Sequence, residues 1–108
     1  MATLSDLTGI NLLIMAVLDK EGPTYGLRMI ASVEEMADGE IKLATGHLYT
    51  ALNRMHDQGL IELKSEEAQE GRGGRTKKIY DLTSEGRQTL ERAKSVLRKT
   101  LFIKEDEH

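Results

Sequence analysis

The chain has 108 residues, no cysteine and a formal net charge of −3, which bounds it to one domain with a small core. Disulfides, thiolate metal sites and a cysteine nucleophile are excluded, and with aromatics at only 4% the core must be aliphatic. The apolar run from Ile10 to Leu18 is too short to span a bilayer. It carries neither a basic leader nor a small-residue cleavage site, so a cytoplasmic protein is the expectation.

Ile10, Leu13, Ile14, Val17 and Leu18 repeat at the spacing of an amphipathic helix, with Ser5 or Thr8 placed to cap it. Glu21-Gly22-Pro23 ends it, since Gly favours the left-handed cap and Pro cannot continue a helix. Thr24 is a good N-cap for a second helix over about Tyr25 to Ala37, with Leu27, Ile30, Ala31, Val33 and Met36 as its apolar set. Ile41-Lys42-Leu43 is a short extended segment. A third helix runs from about Thr45 to Gln58 and stops at Gly59. Leu60 to Lys64 has strand character, with Ile61 and Leu63 on one face. Glu66 to Arg75 is polar and holds three glycines, which reads as a flexible loop. Lys77 to Leu82 returns as a second strand. Thr83 caps a last helix over Ser84 to Phe102, and Glu105 to His108 is a frayed tail.

Three helices, a β-hairpin and a closing helix make a mainly α chain, a winged helix-turn-helix domain over 1–82 followed by a C-terminal dimerisation helix and tail over 83–108. Consecutive residues of a helix are about 100° apart. On that wheel Leu48, Ala51, Leu52 and Met55 turn one side of the third helix to the core. The other side carries Gly46, Thr50, Asn53 and Asp57, flanked by Tyr49 and Arg54. Gly46 in the first turn costs roughly 1 kcal/mol of helix propensity relative to alanine, a cost that makes sense where the backbone must approach another surface. Asn53 suits the N6/N7 edge of adenine, Arg54 a guanine edge or a phosphate, and Thr50 a thymine methyl or a phosphate. First-turn N–H groups, from Thr45 to His47, can donate to a phosphate.

The acidic total hides a local basic density. Residues 1–41 hold two bases and seven acids, residues 42–80 seven bases and five acids, and residues 81–108 six of each. Between Gly71 and Tyr80 there are four bases, Arg72, Arg75, Lys77 and Lys78, and no acid. Phosphate binding depends on such local density, and a glycine-rich hairpin tip with these bases has the composition of a wing reaching phosphates or the minor groove. In the last helix Leu90, Ala93, Leu97 and Leu101 repeat at spacings of three and four, more apolar surface than so small a core can cover. They point to a partner helix in a homodimer or to packing back onto the N-terminal helix of the same chain; a two-fold dimer satisfying both would set two third helices about one DNA turn apart on a pseudo-palindromic operator.

Several segments in order resemble the PadR family of bacterial transcriptional regulators. Leu12 to Leu18 followed by Gly22-Pro23-Thr24-Tyr25-Gly26 is similar to its opening helix and turn. Gly46-His47-Leu48-Tyr49-Thr50-Ala51-Leu52 is similar to its recognition helix, Gly59-Leu60-Ile61 to its strand entry, and Gly73-Gly74-Arg75 with Lys78 to Thr83 and Gly86-Arg87 to its wing and exit. The chain departs from the pattern at Leu27, where a tyrosine is usual, at Ala44-Thr45, where Ser-Pro is common, and at His47, where Thr or Ser is usual. The resemblance implies a homodimeric DNA-binding repressor, released by a small apolar, aromatic or cationic effector. Met15, Val96 and Leu97 are the residues available to line an apolar effector cavity. With no tryptophan and a single phenylalanine, Phe102, the chain offers little to stack on a flat compound.

No catalytic chemistry is legible. His47 and His56 lie about 180° apart on the wheel, so they cannot share a metal, and no cofactor motif, Ser/His/Asp arrangement or phosphate loop is present. Two other classes compete with a duplex-binding regulator. A winged helix used only for protein contact has no need of four wing bases. An RNA-binding one would offer more stacking aromatics than Tyr25, Tyr49 and Tyr80.

Overall fold

Apolar residues at helical spacing, broken by glycines, produce three short helices before the chain turns to strand. In the computed structural model, which describes residues 9–68 and 76–102, these are α1 (Ile10–Glu21), α2 (Gly26–Met36) and α3 (Thr45–Asp57). An antiparallel hairpin of β1 (Ile61–Ala68) and β2 (Thr76–Leu82) follows, then α4 (Ser84–Phe102). Among the described residues no helix is long and apolar enough to cross a membrane.

One core joins all of these elements. Ile14, Met15, Val17 and Leu18 of α1 pack with Met29 and Val33 of α2 and with Leu48, Ala51, Leu52 and Met55 of α3. Leu60, Ile61, Tyr80 and Leu82 close it from the hairpin, and Leu90 and Ala93 from α4. The expected inner face of α3 is therefore the observed one. That of α2 is rotated: its buried side is Gly26, Met29, Ser32 and Val33, while Leu27 is 57% exposed and Met36 is also exposed. A polar Ser32 is tolerated inside because its hydroxyl donates to Glu21 Oε1 at 2.8 Å.

The helix ends follow their glycines. Gly22, at φ 85°, ends α1 with its N–H donating to Leu18 O at 2.9 Å. The end of α3 is a Schellman turn: Gly59 stands at φ 78°, Leu60 N–H donates to Met55 O and Gly59 N–H to His56 O, both at 3.0 Å. Ser5 and Thr8, the expected caps of α1, lie outside the described residues. Thr24 is not the cap of α2. Its backbone pairs with Tyr80 in both directions, at 3.1 and 2.9 Å, and Tyr25 occupies the cap position without a side-chain hydrogen bond.

Thr83 does cap α4, accepting from Gly86 N–H at 2.9 Å while its hydroxyl donates to Gly59 O at 2.6 Å. The first turn of α4 thus lies on the elbow between α3 and β1, so close that a Cβ at position 86 would collide with the Leu60 carbonyl. In the hairpin, Ile61 faces Leu82 and Leu63 faces Tyr80, with a bulge between Leu63 and Ser65. Ile61 is buried but Leu63 is exposed, although Tyr80 opposite Leu63 stays in the core.

Gly86→Ala should lower the stability by about 1–3 kcal/mol, the usual range for overpacking, in urea unfolding. Gly46→Ala, whose Cβ would meet nothing within 4 Å, should instead stabilise by up to about 1 kcal/mol through helix propensity.

Candidate nucleic-acid interface

With Leu48, Ala51, Leu52 and Met55 turned inward, the rest of α3 faces out. Thr45, Gly46, His47, Tyr49, Thr50, Asn53 and Arg54 are all exposed, so the expected contact face forms one continuous surface. Ala44 is the N-cap residue and supplies no side-chain hydrogen bond, and the first turn contains no acid. The first N–H groups of a helix have no partner within it, so this end of α3 keeps donors and a partial positive charge for an anion.

Tyr49 has a second role that the helix wheel does not show. Its hydroxyl oxygen stands 2.7 Å from where a Cβ on Gly26 would be, so the ring lies across the first turn of α2. Gly26 is the residue missed by reading α3 alone; its signal was the glycine closing the Gly22-Pro23-Thr24-Tyr25-Gly26 turn. The three tyrosines gather at this junction. Thr24 bridges to Tyr80, and Lys77 Nζ lies 4.4 Å from the centre of the Tyr25 ring. Burial, reinforced by the neighbouring Tyr49 and Glu66, pushes the Tyr80 hydroxyl above its ordinary pKa.

The wing is less uniformly basic than its sequence. Lys78 pairs in register with Glu66 and Lys77 with Glu67. Lys77 is half-buried over Tyr25 while Lys78 is exposed, so Lys78 is the freer of the two. Arg72 and Arg75 lie outside the described residues.

The expected partner stripe on α4 is corrected by the core. Leu90 is 1% and Ala93 6% exposed, since the first half of α4 packs on this chain's own core, so neither is open to a partner. Val96, Leu97 and Leu101 are exposed, Leu101 to 67%. Of the three residues expected to line an effector cavity, Met15 is completely buried while Val96 and Leu97 are exposed, so they share no open surface within this chain. Among the described residues no three His, Asp or Glu side chains are grouped to hold a metal.

Known proteins agree with this architecture. The transcriptional regulator PadR-like family matches residues 14–92. A PadR family transcription regulator from Clostridium difficile is 35% identical, with a TM-score of 0.67 over 87% of this chain and 88% of its own. A PadR-like transcriptional regulator from Bacillus cereus has 21% identity and a TM-score of 0.67, covering 94% of each chain. Bacillus subtilis PadR, solved in complex with operator DNA, has 22% identity and a TM-score of 0.68 over 80% of this chain, which spans 46% of that protein's length. No curated protein matches the chain.

The geometry separates the two wing lysines. Lys77→Ala should cost about 0.5–1 kcal/mol of stability in urea unfolding through loss of its contact with Tyr25, whereas Lys78→Ala should change stability by less than about 0.5 kcal/mol, as exposed sites do.

Proposed function

We propose that this chain, which belongs to the PadR-like family of transcriptional regulators, binds operator DNA by laying α3 in the major groove with the wing beside it. The family comprises regulators rather than enzymes, so recognition is the task the surface must perform. The observation that carries the reading is the outer face of α3: seven exposed positions from Thr45 to Arg54, small or hydrogen-bonding, and uncapped at the end where a phosphate would sit. Asn53 and Arg54 take base edges, Thr50 a methyl or phosphate, and Lys78 the backbone. The Bacillus subtilis relative is a protein solved on operator DNA, which supports the same use here.

The finer reading is a cytoplasmic repressor that acts as a homodimer and is released by a small effector. Val96, Leu97 and Leu101 form the exposed apolar end of α4, and a two-fold contact there would repeat α3 about one helical turn along a pseudo-palindrome. Because Leu90 and Ala93 anchor the same helix in the core, the contact would hold each α3 at a set distance.

A gel shift on the DNA upstream of the chain's own coding sequence, across a salt series, tests the reading. A salt-dependent shift that random duplex does not reproduce is expected; an equal shift with any duplex, or none, overturns sequence-specific binding and leaves a protein-contact module. Asn53→Ala should lose about 1–3 kcal/mol at one base pair and spare random duplex. Lys78→Ala should weaken all duplexes alike and reduce the salt slope by about 1. In sedimentation, Leu101→Glu should yield monomers, and a persisting dimer would remove the end of α4 as the interface.

A further inference from the structure

The outer side of α2 carries an open groove of about 620 Å³ that shares no lining residue with α3 or the wing. Leu27, Ile30 and Ala31 line it toward the start of the helix, and Glu34, Glu35 and Asp38 toward its end. Leu27, Ile30, Ala31 and Glu34 recur at spacings of three and four, so they share one face of α2. Leu27 and Ala31 are exposed and Ile30 is half-buried. Residues 34–41 hold four acids and no base.

These acids stand where stability favours the opposite charge. The C-terminal end of a helix carries a partial negative charge and is stabilised by cations. The last turn of α2 has no base, and Glu34 and Glu35 lie in it. Asp38 follows at φ 52°, the one non-glycine residue with positive φ among those described. Among the described residues none of the three carboxylates has a hydrogen-bond or ion-pair partner. Where a sequence breaks a local rule with no gain inside the fold, the gain lies outside it.

We infer that α2 docks a basic amphipathic helix of another protein. The groove is too open for a small molecule, since ligand pockets bury roughly 70–90% of what they hold. An extended segment docks by pairing with a sheet edge, and a helix offers none, its backbone being bonded within itself. A helix fits: its apolar side covers Leu27, Ile30 and Ala31, and lysines or arginines beside that side meet Glu34, Glu35 and Asp38. The chain's own ends have the wrong charge. Residues 1–8 hold Asp6 and no base, and residues 103–108 hold three acids against Lys104. The basic end of α4 is the contact already proposed between two copies. The inference goes beyond the DNA-binding reading and does not require it, because the groove lies outside α3 and the wing.

Amide chemical shifts of the isotope-labelled full chain, titrated with three synthetic helical peptides of equal length, test the surface. The first has leucines along one face flanked by lysines. The second replaces its lysines with glutamates, and the third keeps the lysines but scatters the leucines around the helix. The first should move Leu27, Ile30, Ala31 and Asp38, and the other two should bind at least about tenfold more weakly, each lacking one half of the recognition. Glu34→Lys combined with Glu35→Lys should weaken the first peptide by at least about tenfold. The same double variant should raise the urea midpoint of the free protein, because the end of α2 then carries the charge it favours. Equal binding of the three peptides, shifts centred on Val96 to Leu101, or unchanged affinity in the double variant would overturn the inference. A lowered midpoint would make the acids structural and overturn it as well. In sedimentation Leu27→Lys should leave the oligomeric state unchanged; a dimer turned to monomer would put a second copy in the groove instead of a foreign helix. No DNA is present in these measurements, so failure of duplex binding leaves their outcome untouched.

Discussion

The first turn of α4 lies so close to the Leu60 carbonyl that only glycine fits at position 86, and the geometry of the recognition surface follows from that approach. Thr83 binds the same elbow twice, through its hydroxyl to Gly59 O and its N–H to Leu60 O. The elbow is where α3 becomes β1, so these contacts set the direction in which the hairpin leaves the third helix. On the far side, Thr24 pairs with Tyr80, and Tyr49 lies against Gly26. The base of the hairpin is thereby held twice: to the end of α3 through α4, and to the start of α2 through the tyrosine junction. A duplex needs the helix and the wing at a set separation, and the chain achieves this with two glycines where no side chain can intrude.

Charge is distributed with the same economy. The chain is acidic overall, and two of the bases in α4 are engaged with acids. Arg87 reaches both Asp19 and Asp81, and Lys94 reaches Asp19 and Glu91. Hydrogen bonds to Glu91 and then Asp19 hold the Lys94 ammonium above its ordinary pKa. Exposed pairs of this kind add little stability, but they remove acids and bases together from the field that an approaching polyanion would meet. Among the described residues Lys42, Arg54 and Lys78 are exposed and have no such partner, as is also true of Lys20, Lys64, Arg92, Arg98 and Lys99. Net charge is thus a poor guide to this surface, while the local balance over 42–80 is a good one.

The sequence made the element order, the inner face of α3, the Gly59 stop and the span of α4 legible, because each depends on local periodicity or on a single strong signal. Its errors share a cause. Apolar content alone puts Leu27, Ile30, Ala31, Val33 and Met36 on the inner face of α2, but Glu21, a residue in another helix, turns Ser32 inward. Thr24 has the chemistry of a cap and is used instead as a strand partner of the distant Tyr80. Leu90 and Ala93 looked like surplus apolar surface because the depth of the hairpin and α1 beneath them was not visible along the chain. The helix wheel puts Tyr49 on the outer face, and its contact with Gly26 crosses between helices. Each miss is a long-range contact overriding a local preference.

Control of a winged helix through the end of α4 depends on what can move. A ligand there would have to change the spacing between two α3 helices, and the anchoring of Leu90 and Ala93 in the core makes α4 a stiff lever for that purpose. Such control needs a ligand that discriminates between two arrangements of a dimer, since equal affinity for both shifts nothing. Met15 is completely buried, so the interior beneath α1 is filled, and a ligand acting through α4 would have to meet its exposed end at Val96, Leu97 and Leu101.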